Sequence, residues 1–160
     1  MAEINIRNAV VADCELILSF IQQLADYEKM SNDVVATVKD LENTLFGENP
    51  FAEVVIGSLD NEPVGFALFF HNYSTFIGKA GLYLEDLFVA PHARGRKVGK
   101  ALLIHLAKIA VERDCARFEW SVLDWNQPAI DFYRSIGAEG MEEWTVQRVD
   151  GENLSQLASL

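Results

Sequence analysis

The chain has 160 residues, half of them hydrophobic and 11% aromatic, which suits one domain with a single core and excludes a disordered segment. Its 24 acidic residues outweigh 13 basic ones for a formal charge of -11, arguing against nucleic acid or an anionic membrane as partner and favouring a cationic small molecule. Cys14 and Cys115 are far apart and fall in no metal-type spacing, so reduced packing thiols and no metal site are expected.

The N-terminus MAEINIRNAVVADCE lacks a basic region ahead of an apolar stretch, so it does not read as a signal peptide. Val64 to Phe70 is the longest apolar run and is too short to span a bilayer. A soluble, cytoplasmic protein is the expectation. Ile4 and Ile6 alternate with polar neighbours and predict an opening strand. From Asp13, a candidate N-cap, Leu16, Ile17, Phe20, Ile21 and Leu24 recur at helical spacing. Thr37 with Asp40 forms a capping-box pattern before Leu41, Leu45 and Phe46.

Phe51 to Leu59 and Val64 to Tyr73 read as strands joined at Asp60-Asn61, an antiparallel hairpin. A third strand, Leu82 to Ala90, stops at Pro91. After Gly95, the residues Val98, Leu102, Leu106 and Ile109 form one helical stripe. Arg117 to Leu123 predicts another strand, and Pro128 to about Ser135 a short helix that ends at Gly137. Trp144 to Val149 predicts a last strand, with Asp150 placed to cap a terminal helix. The order points to an α/β (α+β) fold with a mixed central sheet and helices on both faces.

Two stretches carry the chemistry. Glu85 and Asp86 interrupt an apolar strand, where carboxylates are poor formers and costly to bury. Either one pairs with a buried arginine, or the pair serves a ligand amine. Strict alternation would place Leu82, Leu84, Asp86 and Phe88 on one face and Tyr83, Glu85, Leu87 and Val89 on the other. A primary amine near pKa 10.4 lies about 3.4 units, or about 4.6 kcal/mol, from its nucleophilic neutral form at pH 7. A carboxylate that accepts the proton recovers part of that. Next, Arg94-Gly95-Arg96-Lys97-Val98-Gly99-Lys100 opens a helix, and a helix start rich in glycine and cations binds anions such as phosphate. A solvated basic helix start has the same composition, and no P-loop or GxGxxG spacing is present. In Asn126-Gln127-Pro128-Ala129-Ile130-Asp131-Phe132-Tyr133, Asn126 can cap the helix or face a ligand. Tyr133 shares a face with Ala129 and fits either the core or a general acid.

The run Leu84 to Val89, the Arg94 to Gly99 turn and the pattern Asn126-x-x-Ala129-x-x-Phe132-Tyr133-x-x-x-Gly137 resemble the GNAT superfamily of acetyl-CoA-dependent N-acetyltransferases. Tyr27-Glu28, Ile77-Gly78-Lys79, Tyr83 to Asp86 and Trp125-Asn126 are further similar to its diamine (spermidine/spermine) and thialysine acetyltransferase branch. The resemblance covers nearly the whole chain. It implies a mostly antiparallel sheet and acetyl-CoA as cosubstrate. The pyrophosphate would sit on Arg94, Gly95, Arg96, Lys97, Val98, Gly99 and Lys100, with pantetheine along Leu87, Phe88 and Val89. Asn126, Gln127, Pro128 and Ala129 match further coenzyme contacts. Tyr133 matches the acid and Glu85 the base. Tyr27, Glu28, Asp86, Glu119, Trp120 and Ser121 match contacts to the amine.

The resemblance also implies a homodimer, and direct transfer follows from neither cysteine lying in these motifs. Two departures stand out. Lys97 replaces a usual glycine, which leaves its N–H available to phosphate if its φ stays negative. The stretch from Gly137 to Trp144 is shorter than in the polyamine enzymes, so no acidic contact is assigned to Glu142 or Glu143. Two other functions fit the same motifs: an acetyl-CoA-binding regulatory module without transfer, and an acetyltransferase acting on proteins or peptides.

Overall fold

Asp60 and Asn61, at φ of 49° and 67°, form the tight turn that folds β2 (Glu53–Leu59) onto β3 (Glu62–Ser74). Around this hairpin a computed structural model, describing residues 2–160, builds a five-stranded sheet in the order β1-β2-β3-β4-β5. β1 (Ile4–Asn8), β2, β3 and β4 (Lys79–Val89) pair antiparallel, and β5 (Phe118–Trp120) joins β4 in parallel. The sheet is mixed and mostly antiparallel. The described chain divides into two compact units, residues 2–121 and residues 122–160.

In the first unit, helices cover both faces of the sheet. α1 (Cys14–Tyr27) sends Phe20 onto Phe66 of β3, stacked at 5.7 Å, and onto Phe88 of β4 at 5.8 Å. α3 (Val98–Glu112) covers the other face, where Gly57 lies so close that a Cβ would stand 3.2 Å from Val98 and 3.4 Å from Leu102. Ile17, Ile56, Phe66, Phe69, Leu82, Leu102 and Leu106 are fully buried between these layers. α2 (Val38–Leu45) begins with the expected reciprocal cap: Thr37 N–H donates to Asp40 at 2.8 Å, and Asp40 N–H donates to Thr37 Oγ1 at 3.2 Å.

Several expectations change. Asp13 stands at the N-cap of α1 but makes no side-chain cap to it. Its carboxylate instead accepts from both Arg7 terminal nitrogens, at 2.7 and 2.9 Å, and from Val10 N–H at 2.8 Å. A guanidinium fork outcompetes a single amide, and it holds the Asp13 carboxyl below the usual range. The strand expected over Arg117 to Leu123 is only three residues long, because its pairing to β4 stops at Leu84↔Trp120.

The second unit holds α4 (Gln127–Ser135) and α5 (Gly151–Ala158). Gly137, at φ 96°, lies just beyond α4 as the expected stop. The expected strand from Trp144 to Val149 is absent: these residues have no regular structure, and Trp144 and Val146 are exposed. Alternation alone makes no strand without a neighbouring ladder to bond. Asp150 stands at the N-cap of α5, though its side chain makes no cap bond.

Candidate active site

Strict alternation fails along β4 at the residue where chemistry was expected. Leu84 pairs with Phe69 and Asp86 with Leu68, so Glu85 is an extra residue, a bulge with no partner on β3. Beyond it the faces swap. Leu82 and Leu84 face α3, whereas Asp86 and Phe88 face α1 alongside Tyr83, whose ring meets Phe70 at 5.2 Å. The grouping of Asp86 with Leu82 and Leu84 is thereby corrected. A bulge inserts one residue, and one residue inverts a two-residue period.

The α1 face gathers acidic groups. Glu28 follows the last turn of α1, its N–H bonded to Leu24 O at 2.9 Å. Burial pushes the Asp86 carboxyl up to about 6, and the nearby Glu85 and Glu28 carboxylates add to the shift. Burial also raises Glu28 above its ordinary range. Glu119 lies opposite Tyr83 on this same face, and Tyr83 OH meets Ser121 Oγ at 2.9 Å. Tyr27, Glu28, Asp86, Glu119 and Ser121 therefore belong to one side of the sheet. Trp120 does not: it pairs with Leu84 and meets Phe118 at 4.9 Å, which puts it on the α3 side.

β4 and β5 part after Leu84 and Trp120, leaving the Leu87-Phe88-Val89 edge without a strand on that side among the described residues. An edge of unpaired N–H and C=O groups can pair with an extended, amide-bearing ligand. The turn that follows leads into α3. Gly95 and Lys97 both have positive φ, 75° and 70°. The negative φ expected for Lys97 is not found; the left-handed turn is kept although a side chain occupies the position. The first bond of α3 runs from Ala101 N–H to Lys97 O at 3.0 Å, so the Val98, Gly99 and Lys100 amides precede the ladder. Arg96, Lys97 and Lys100 are exposed and form no ion pair among the described residues. This arrangement fits a pyrophosphate.

Arg94 is engaged differently from its neighbours. Its Nε donates to Val89 O at 3.1 Å, and its guanidinium lies 4.8 Å from the Tyr27 ring centroid and 6.0 Å from that of Phe88. It ties the end of α1 to β4 by cation–π contact. Replacing Lys97 with glycine is expected to stabilise the fold by about 0.5–1 kcal/mol, since glycine adopts a left-handed φ without strain. Urea unfolding of both proteins measures this, and a destabilised variant would refute it.

In the second unit, Asn126 caps α4, its Oδ1 accepting from Ala129 N–H at 3.4 Å. Gln127 donates to Asp131 at 2.7 Å, and Pro128 sits in the first turn, where its missing N–H costs nothing. Tyr133 lies on α4, its ring 5.8 Å from that of Phe132. Asn72, Tyr83 and Arg117 were missed by sequence reasoning as members of the acidic face. The available signal was Gly81, a glycine inside a strand that marks a close approach over β4.

Among the described residues, no group of three or more His, Cys, Asp or Glu side chains is arranged to hold a metal ion. None of the helices formed by those residues is long and apolar enough to cross a membrane.

The sequence profile described as "Acetyltransferase (GNAT) family" matches residues 21–138. A thialysine N-epsilon-acetyltransferase of Sus scrofa is 37% identical over 99% of both chains. An L-ornithine N5-acetyltransferase of Arabidopsis thaliana is 32% identical over 98% of this chain and 88% of its own. Among solved structures, an integron cassette protein from the mobile metagenome of V. cholerae superposes with a TM-score of 0.82 at 29% identity, covering 98% of each chain.

Proposed function

Because the chain belongs to the GNAT family of acetyltransferases, we propose that it transfers an acetyl group from acetyl-CoA directly to a primary amine of a small cationic acceptor. The observation that carries this reading is the acidic face beside the bulge, where Asp86 is held near pKa 6 with Glu28 and Glu85 around it. Acetyl-CoA supplies an activated acetyl group as a thioester, open to attack by an amine with loss of the thiol. The turn from Gly95 to Lys100 would hold its phosphates, and the Leu87 to Val89 edge its amide-bearing arm.

The acceptor arrives as an ammonium ion. Glu28, Glu85 and Asp86 attract it, and a carboxylate must take its proton before nitrogen becomes nucleophilic. Asp86 is suited to that step, because a pKa near 6 leaves it ionised at neutral pH yet basic enough to accept. Glu85, the match to the family's base, stands next to it on the bulge. Tyr133 is proposed as the acid that returns a proton to the departing sulfur. Cys14 is buried, and that burial raises its thiol pKa, which opposes an acetyl-cysteine route. A homodimer belongs to the same reading.

Thiol release from acetyl-CoA, measured with diamines, polyamines, lysine, ornithine and thialysine, tests the proposal. Turnover of at least one small amine is expected. Tight coenzyme binding with no turnover would favour a regulatory module, and peptides outcompeting every small amine would favour a protein acetyltransferase.

A further inference from the structure

Toward the β3–β4 turn the α1 face carries a second charged group that proton transfer does not use. Asn72 of β3 lies opposite Gly81 of β4, and Arg117 immediately precedes β5, its carbonyl accepting from Leu82 N–H at 2.9 Å. Gly81 has no side chain, so the two neighbours cross over it: a Cβ there would collide with Asn72 Oδ1 and stand 3.3 Å from Arg117 Cγ. Both converge on Glu119. Asn72 Nδ2 donates to Glu119 Oε1 at 3.2 Å, and Arg117 Nε lies 2.8 Å from the same oxygen.

Arg117 also donates from Nη2 to Tyr73 O at 3.3 Å. Asn72 Oδ1 is buried without a partner, so the amide is oriented by Glu119 and not by its own full satisfaction. Glu119 Oε2 and Arg117 Nη1 have no hydrogen-bond partner among the described residues. One oxygen of the carboxylate is thus fixed, and the other remains open beside a guanidinium edge.

We propose that this Arg117–Glu119 pair, positioned by Asn72, reads the zwitterionic head of an α-amino acid, so that the acceptor is a basic amino acid acetylated on its side-chain amine and not a polyamine. The inference rests on the acetyl-transfer reading given above. Its basis is charge and reach. An α-ammonium suits Glu119 Oε2 and an α-carboxylate suits Arg117, whereas the second ammonium of a polyamine meets a pair of no net charge and is repelled by the guanidinium. Glu119 pairs with Tyr83, and because Glu85 is bulged, Tyr83 and Asp86 lie opposite Phe70 and Leu68, two residues apart on β3, or about 7 Å at strand rise. An extended lysine-like chain spans about 6 Å from α-carbon to terminal nitrogen at ordinary bond lengths. With a hydrogen bond of about 3 Å at its head, it reaches from one carboxylate to the other.

The test compares kcat/KM for lysine, lysine methyl ester and cadaverine, which differ chiefly at the carboxylate. Wild type is expected to prefer lysine. Arg117→Gln is expected to lower kcat/KM for lysine about ten- to hundredfold while changing the ester and cadaverine less than about threefold. Arg117→Lys, which keeps a charge without the fork, is expected to fall between and serves if the glutamine variant folds poorly. Equal losses on all three acceptors would mark Arg117 as merely structural and overturn the inference. So would a wild type that acetylates cadaverine as well as lysine, which leaves acetyl transfer itself intact. Failure of wild type to acetylate any of the three or any amine of the wider panel would overturn both.

Discussion

Asp86→Asn is expected to lower kcat/KM for the acceptor amine by about a hundredfold or more, the usual scale for losing a positioned proton acceptor. It is also expected to abolish the part of the pH–rate profile that rises near pH 6, because that rise reports ionisation of the Asp86 carboxyl. Glu85→Gln separates the neighbours. If activity survives in Asp86→Asn and is lost in Glu85→Gln, the base is Glu85. Asp86→Asn also has a stability signature of opposite sign. A carboxyl held above its unfolded value binds its proton more tightly in the native state, so its cost to the fold is present above about pH 6. That cost is relieved as pH falls toward the ordinary range near 4. Asp86→Asn should therefore stabilise the fold at pH 8, by up to about 3 kcal/mol, and confer little advantage at pH 4. Urea unfolding at the two pH values measures the difference. A variant as active as wild type would remove Asp86 from proton transfer, and a variant less stable at pH 8 would mean that the charged carboxylate supports the fold, contrary to its raised pKa.

Tyr133→Phe is the second substitution with a large expected effect: a fall in kcat of about a hundredfold with KM for the amine and for acetyl-CoA nearly unchanged. The hydroxyl is needed only as the carbon–sulfur bond breaks, so its loss removes an interaction made in the transition state and not in the bound ground state. The ring itself remains, and with it the contact to Phe132. A thioester with a more acidic leaving thiol should lessen the defect, because such a sulfur departs without protonation. An unchanged kcat would remove Tyr133 from the mechanism, and a raised KM with unaltered kcat would make it a binding residue only.

Local chemistry explains why the helices and the hairpin were legible. The capping box at Thr37 and Asp40, the turn at Asp60-Asn61 and the apolar stripe from Val98 are each specified by residues within a few positions of one another. The terminal strand was misread because Trp144 to Val149 has the right alternation but no paired neighbour. Asp13 does hold the N-cap position of α1, but its carboxylate is taken by Arg7 and makes no cap bond. Neither a missing partner strand nor a contact such as Arg7 to Asp13 has a period that a sequence displays.

The same division runs through the candidate site. By itself the sequence determined the acidic pair in a strand, the cationic glycine-bearing turn before α3, and the family those motifs belong to, because each depends on neighbouring residue types. Only the tertiary structure decided which way the groups face. The bulge at Glu85 turns Asp86 toward α1 and Glu28, the register of β5 sends Trp120 away and brings Glu119 to Asn72 and Arg117, and Arg94 closes on Tyr27. A strand's side-chain direction depends on its pairing register, and register is a property of two segments brought together, not of either alone.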